Sequence, residues 1–526
     1  MSLPRARVVT LNAALGPLDY RVPTDMAVEP GSVVVAPLGP RQLIGVVWEA
    51  ERLPSEEVGD NRLRPLIELL DVPPIAAPLR RLAEWTADYY LSSLASVLRM
   101  ILPSSSALEG SRQLIKYRPT NLVPGRMTPQ RFKALAALEG RQGTIRELAQ
   151  YAEVSDAVLR GLVHAGAIEA VLVEADRPLE TPDPDFAPPE LNEEQRAAAA
   201  SLSAAIGHGF DPVLLDGVTG SGKTEVYFEA VDEALRQGRQ ALVLLPEIAL
   251  TEPFLKRFQA RFGCAPIAWH SGLRSSQRRR SWRAIASGEA KVVVGARSAL
   301  FLPYAQLGLI VVDEAHEPSF KQEDGVQYHA RDVAVMRGHF EEIPVILSSA
   351  TPAIESKHMV EVGRYREVTL THRFAGATLP TISAIDMTQD PPPRGRWLAP
   401  SLVEELRTNL AAGEQSLLFL NRRGFAPLTL CRHCGHRFQC PNCTAWMVEH
   451  RLMHRLACHH CGHVMPPPRA CPECGEEDSL VACGPGVERI AYEVAALFPE
   501  ARTAIVTSDT IWSPLRAAEF VGAMDA

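Results

Sequence analysis

No uncharged apolar run in this sequence reaches the ~20 residues that span a bilayer, and the opening MSLPRARVVTLNAALG holds neither a long apolar segment nor a small-residue cleavage site. These features predict a cytoplasmic chain without a membrane partner. Excess positive charge is missing too. The 54 Lys and Arg residues against 62 Asp and Glu leave a net charge of −8, so any nucleic-acid surface has to be local. Cysteine is almost absent from the first 430 residues, where Cys264 stands alone, which excludes a disulfide framework there.

What is present is the composition of a folded protein, 46% hydrophobic and 22% charged, in a chain of 526 residues that is far too long for one core. Its centre is Leu214 to Glu225, where an apolar strand breaks into Gly217, Val218, Thr219, Gly220, Ser221, Gly222, Lys223 and Thr224. That run fits the phosphate-binding pattern G-x-x-x-x-G-K-[ST]. Glycines let backbone N–H groups ring the phosphate oxygens, and the following helix turns its positive end to the same charge. Lys223 is placed to reach the β and γ phosphates and Thr224 to hold Mg²⁺. Val226, Tyr227, Ala230, Val231, Ala234 and Leu235 recur at helical spacing behind the loop.

About ninety residues on, the apolar strand Leu309 to Val312 ends in Asp313-Glu314-Ala315-His316. Adjacent carboxylates at a buried strand end call for a cation, which Mg²⁺ on a nucleotide supplies. Asp313 is expected to position Mg²⁺ and Glu314 to orient and deprotonate an attacking water. Ser349-Ala350-Thr351 follows the next apolar strand and offers hydroxyls to that acidic motif. Between Ala241 and Leu347 short apolar runs alternate with helical stretches, the mark of a parallel sheet covered on both faces.

The flanks differ in pattern. Residues 1–107 read as a β-rich domain with a helix near Arg80 to Leu94, and 120–174 as three short helices and a strand, Thr144 and Glu147 forming a capping box. The second pattern suits a winged helix; a plain helical packing module fits equally, since the third helix offers only Arg160 and His164 to DNA. Residues 175–190, with five prolines, read as a linker. Arg274, Arg278, Arg279, Arg280 and Arg283 form a basic run that suits either backbone phosphates or a solvated helix face.

Nine cysteines lie between Cys431 and Cys483. Cys431/Cys434, Cys440/Cys443, Cys458/Cys461 and Cys471/Cys474 are four C-x2-C pairs, what two tetrahedral Cys₄ zinc sites need. Spacing leaves both nested and sequential pairing open. Such closed sites are structural. Cys264 and Cys483 read as core thiols, and the nearby histidines as surface donors.

The phosphate loop, Asp313 to His316, Ser349 to Thr351, Leu245 to Ile248 and Gly295 to Ala299 together resemble superfamily 2 helicases. More narrowly, Gly217 to Tyr227 and Phe419 to Pro427 are similar to the replication restart helicases of the PriA family. The resemblance implies a multidomain α/β protein with a RecA-like ATP-binding lobe at 191–390 and a second lobe that starts at 391–430. A two-zinc insertion at 431–480 with nested pairing would interrupt that lobe, which continues, incomplete, at 481–526. It also implies that residues 1–107 bind a DNA 3′ end through Asp19 and Gly39, with Leu18 where an aromatic is usual, and that Gln195 reads adenine. Gly325 to Asp332 would couple DNA binding to hydrolysis. ATP, Mg²⁺ and two Zn²⁺ are the implied cofactors. Forked and single-stranded DNA, primosome proteins, a replicative helicase loader and single-stranded DNA-binding protein are the implied partners of a monomer. The function implied is ATP-dependent, 3′-to-5′ unwinding that restarts replication at forks. Because the later second-lobe motifs are not in the sequence, a fork-binding scaffold without unwinding is the alternative.

Overall fold

The computed structural model describes residues 5–48, 63–102, 108, 113–120, 122–174, 179–246, 252–373, 380–393, 396–420, 428–431, 433–443, 445–450, 455–477, 480–483, 486–507, 516, 520 and 522–524. It divides into residues 1–377 and 378–526. The readings placed on Glu247 and Ile248, Asn421 to Pro427, Gly484 and Pro485, and Ser508 to Pro514 lie outside the described residues.

In the first unit, β-branched runs form β1 (Arg5–Thr10), β2 (Leu18–Arg21), β3 (Val33–Leu38), β4 (Arg41–Val47) and β5 (Glu68–Leu69), an antiparallel sheet of order β2-β1-β4-β3-β5. Gly39, at φ 58°, makes the tight β3–β4 turn. Two helices follow where one was expected, Ala77–Tyr89 and Leu94–Ile101. The break falls at Leu91, whose φ is 51°, and Ser93 caps the second helix by accepting from Ser96 N–H at 3.2 Å.

β6 (Gln113–Pro119) pairs along its length with β7 (Ile168–Glu174). Between them stand helices Pro129–Ala137, Ile145–Ala152 and Asp156–His164, packed on Leu148, Leu159, Leu162 and Ile168. The Thr144 and Glu147 capping box forms. Residues 179–190 lie along the next module rather than apart from it. Arg261 donates to the Pro184 carbonyl, Asp185 pairs with Arg236, and Phe186 packs on Gly263.

That module is a parallel sheet: β8 (Pro212–Gly217), β9 (Gln240–Leu244), β10 (Ile267–Trp269), β11 (Val292–Gly295) and β12 (Leu307–Val312). After a hairpin of β13 (Lys321–Gln322) and β14 (Tyr328–His329) come β15 (Val345–Ser349) and β16 (Arg366–Leu370). The order is β10-β11-β9-β12-β15-β8-β16. Its central strands are buried along their whole length, which explains why their sequences read as unbroken Val/Ile/Leu runs. The phosphate loop, Leu245, Gly295 to Arg297, Asp313 and Ser349 all leave the sheet at strand carboxyl ends.

The basic run is divided: Arg274 is exposed, while other members pack against neighbouring elements. Helix Ser275–Ser287 packs on the N-terminal module, Trp282 donating its indole N–H to the Ile101 carbonyl at 2.9 Å. Arg283 reaches the Asp71 carbonyl, Arg278 covers the Trp269 ring, and Arg279 is buried. Helix Ala330–Glu341 packs on helix Ala77–Tyr89, with Arg81 over Phe340 and His329 N–H donating to Tyr90 Oη at 3.3 Å. Val33, Leu82 and Ile101 therefore share one hydrophobic core with Trp282, Phe301 and Val333.

In the second unit, helix Val487–Leu497 holds the segment leading into helix Pro400–Ala411, the buried Glu493 accepting Trp397 N–H at 2.8 Å and Leu398 N–H at 3.2 Å. The cysteine region adds β17 (Leu428–Cys431) paired with β21 (Leu480–Cys483), and β18 (Val448–His450), β19 (Arg455–Ala457) and β20 (Val464–Met465). The apolar runs Gln415 to Leu420 and Ala504 to Val506, which fall within the stretches assigned to the second lobe, are not strands. Leu417 and Phe419 are each 86% exposed, since among the described residues no neighbouring strand pairs with them.

Candidate nucleotide site and metal centres

Gly220 and Gly222 both take φ 81°, a conformation that side chains resist, and this curls Gly217 to Thr224 around its own backbone. Helix Lys223–Arg236 starts directly from Gly222. Lys223 is buried, its Nζ donating to the Gly217 carbonyl at 2.8 Å, so the ammonium is folded into the mouth of the loop. A Cβ on Gly217 would meet Ser221 Oγ at 2.7 Å, and that buried hydroxyl has no hydrogen-bond partner in the structure. An orphaned buried donor on a glycine-curled loop at a helix start fits an anionic ligand.

Gln195 is also buried here, and its amide is committed at both ends. Nε2 donates to the Ser221 carbonyl at 2.8 Å, while Oε1 accepts Asn192 N–H at 3.0 Å in a capping box. It braces the loop. Beside it Glu194 accepts from Thr371 N–H and Thr371 Oγ1, each at 2.7 Å, and from His372 N–H at 3.3 Å.

Asp313 leaves β12 held from three sides. Tyr227 Oη donates to its Oδ2 at 2.9 Å, Ser348 Oγ to its Oδ1 at 2.8 Å, and Glu314 N–H to the same Oδ1 at 3.0 Å. Glu314 adopts φ 48°, a left-handed bend that returns its N–H to the preceding carboxylate. His316 Nδ1 shares a hydrogen bond with Ser349 Oγ at 2.8 Å, and Ser349 Oγ accepts Thr351 N–H at 3.1 Å. The acidic strand and the small hydroxyls are thus joined as the sequence predicts, with Ser348 added. Tyr227, from the helix of the phosphate loop, was not expected as a site residue. Burial first, and then the Asp313 charge, raise its phenol well above the ordinary range, so it stays a donor.

The other expected features are placed differently. Tyr328 is buried edge-on against Phe301, and His329 caps helix Ala330–Glu341 by accepting Arg331 N–H. Burial lowers the His329 pKa, keeping the ring neutral for that acceptor role. Asp19 accepts from Arg7 Nε at 3.1 Å, and the Gly39 carbonyl from Arg64. Arg160 and His164 are exposed on the third short helix.

Eight cysteines gather into two groups, Cys431, Cys434, Cys471 and Cys474, and Cys440, Cys443, Cys458 and Cys461. This is the nested pairing. Sulfur pairs stand 3.7 Å apart in the first, as in Cys431 and Cys474, and 3.4 Å in the second, as in Cys440 and Cys461. Such spacings are far beyond a disulfide's ~2.05 Å. They approach the ~3.8 Å edge of a tetrahedron with Zn–S bonds of about 2.3 Å. Tight turns shape each pair: Gly435, Gly462 and Gly475, all at positive φ, donate N–H to the carbonyls of Cys431, Cys458 and Cys471. Backbone N–H donation, first from Cys461, lowers the Cys458 thiol to about 6, while shared hydrogen bonds within the group leave Cys443 and Cys461 raised. Cys264 is a buried thiol, and the Cys483 side chain lies outside the described residues.

Residues 7–103 match a family model for the PriA 3′DNA-binding domain, 192–360 one for the DEAD/DEAH box helicase, and 440–466 one for the PriA DNA helicase Cys-rich region. The replication restart protein PriA of Rickettsia felis is 36% identical over 521 residues, which cover 99% of this chain and 69% of that protein. The chain belongs to the PriA family of replication restart helicases. The PriA of Bacillus subtilis is 31% identical over 579 residues (94% of this chain, 71% of the relative) and that of Haemophilus influenzae 35% over 507 (94% and 68%). Membership in the PriA family, with its DEAD/DEAH box domain, makes this an ATP-dependent DNA helicase with a 3′ DNA-binding domain, and that domain implies use of ATP and Mg²⁺. The two Cys₄ clusters suit zinc. No described helix is long and apolar enough to cross a membrane.

Proposed function

We propose that this chain unwinds DNA in the 3′-to-5′ direction, driven by ATP, at stalled or recombined replication forks, and so initiates primosome assembly in the cytoplasm. The observation that carries the motor is the junction of phosphate loop and acidic strand at the carboxyl end of the sheet, Tyr227 and Ser348 both bonded to Asp313. In this reading Lys223 leaves the Gly217 carbonyl to neutralise phosphate oxygens, and the N–H groups of Gly217 to Thr224 ring them, with Ser221 Oγ as a further donor. Thr224 and Asp313 would hold Mg²⁺, which would supply positive charge to the phosphates. Glu314 orients the attacking water and takes its proton. Gln195 keeps the loop in shape beside its inherited role as base reader. The two Cys₄ groups hold Zn²⁺ as structural ions, and the module of residues 1–107 receives a DNA 3′ end at Asp19 and Gly39. Primosome proteins, a helicase loader and single-stranded DNA-binding protein are the proposed partners, and the chain acts as a monomer.

Fork binding without unwinding is a second reading, favoured by the exposed, unpaired run at Leu417 and Phe419. One experiment separates the two: ATP hydrolysis and strand separation on forks with 3′ or 5′ tails, for the natural chain and Lys223→Ala. Fork-stimulated turnover with 3′-tail unwinding, both abolished by the substitution, is expected. Fork binding with no turnover refutes the motor.

A further inference from the structure

The hydrogen bond from Tyr227 to Asp313 joins residues 86 positions apart and spans the two halves of the nucleotide site. Helical geometry explains how the tyrosine reaches there. Thr224 and Tyr227 are three residues apart on helix Lys223–Arg236 and share a face. The Tyr227 ring is fully buried, edge-on to Phe228 at 5.3 Å, and the Thr224 side chain lies near enough to its hydroxyl to offset part of the upward shift of the phenol. A buried phenol has two rotatable bonds and one polar tip, so once its ring is packed the tip has little freedom. That tip lies between a hydroxyl at the start of the phosphate-loop helix and a carboxylate at the end of β12.

We propose that Tyr227 is a positioning residue that sets the Asp313 carboxylate relative to Thr224, so that both present their free lone pairs to one divalent cation. This rests on the nucleotide-site reading above and deepens it. Ser348 and Glu314 N–H fix Oδ1 from the β15 and backbone sides; Tyr227 fixes Oδ2 from the phosphate-loop side. A carboxylate oxygen accepts two hydrogen bonds or ligands, so Oδ2 keeps one site for a cation or its water. Without the phenol the carboxylate is held at Oδ1 alone and turns about its Cβ–Cγ bond. Because Tyr227 rides on the helix that begins at Lys223, displacement of the loop by phosphate moves the Asp313 clamp with it.

The test uses the full chain as the natural protein, Tyr227→Phe, Asp313→Asn and the double variant. A fluorescent ATP analogue is titrated with and without Mg²⁺, and ATP turnover with forked DNA is followed against Mg²⁺ concentration. Phenylalanine keeps the ring packing, so the melting temperature stays within a few degrees of the natural protein, which a circular dichroism melt checks. Nucleotide affinity without Mg²⁺ should change less than about twofold, while half-saturating Mg²⁺ rises about tenfold, as for loss of one hydrogen bond to a charged acceptor. In the Asp313→Asn background the same substitution should add little further. Natural Mg²⁺ dependence in Tyr227→Phe, or an undiminished effect in the double variant, overturns the proposal. If the natural chain binds the analogue but does not turn over, the motor reading fails alone, since the Mg²⁺ titration of binding still judges Tyr227. If it binds no nucleotide, both fall.

Discussion

Replacing Glu194 by Gln should loosen the strand exit at Thr371 and His372 in a pH-dependent way. The carboxylate collects Thr371 N–H and Oγ1 on one oxygen and His372 N–H on the other, just beyond β16. Led by the Thr371 N–H, these donors hold its pKa down from 4.5 to about 2. A pKa lowered by folding contributes stability that is complete above the unfolded value, 4.5, and is lost as pH falls through about 2. The fall corresponds to roughly 3.4 kcal/mol at most. Screening of a side chain 28% exposed reduces this to about 1–2 kcal/mol. Gln keeps one acceptor oxygen but no charge, so at pH 7 the amides of Thr371 and His372 should exchange with deuterium about fivefold to tenfold faster relative to their intrinsic rates. The assay is exchange followed by mass spectrometry on peptides covering residues 366–373. Protection in the natural chain should fall toward that of the variant between pH 4.5 and 2, and the variant should show no such fall. Equal protection at pH 7 would refute the argument.

Metal analysis should find two zinc ions per chain, and Cys431→Ser with Cys474→Ser should remove one, because both sulfurs serve one group; loss of both ions would mean sequential pairing. Trp282→Ala should destabilise the first unit by about 3–5 kcal/mol. Trp282→Phe, which strips the Ile101 carbonyl of its donor, should cost about 1–3 kcal/mol. Denaturant unfolding, with limited proteolysis for release of the N-terminal module, measures both, and unchanged curves for Trp282→Ala would contradict the shared core.

Much of the site was legible because its signals are local. The phosphate loop needs glycines and a lysine within eight residues, the acidic strand ends in adjacent carboxylates, and each zinc half-site is a C-x2-C turn. Tyr227 was not legible in this way, since its partner lies on another strand. The one clue was its position three residues beyond Thr224, on the face that meets the sheet. The arginines of residues 274–283 left two readings open for a related reason: charge in sequence does not say what a helix packs against, and here Trp282 turns that helix onto the N-terminal module. β6, β10 and β16 went unread because a strand is defined by the neighbours it pairs with. Gln415 to Leu420 shows the converse, an apolar run without a strand to pair with among the described residues.

The buried seam around Trp282, Ile101 and Phe301 makes the module named for DNA 3′ ends and the ATP-binding lobe one continuous solid. Two parts welded in this way keep a constant offset, so the fold itself carries a ruler. On the function proposed above, a strand end seated on one part would meet the motor at a fixed distance, and the first stroke would start from the same mark on every substrate.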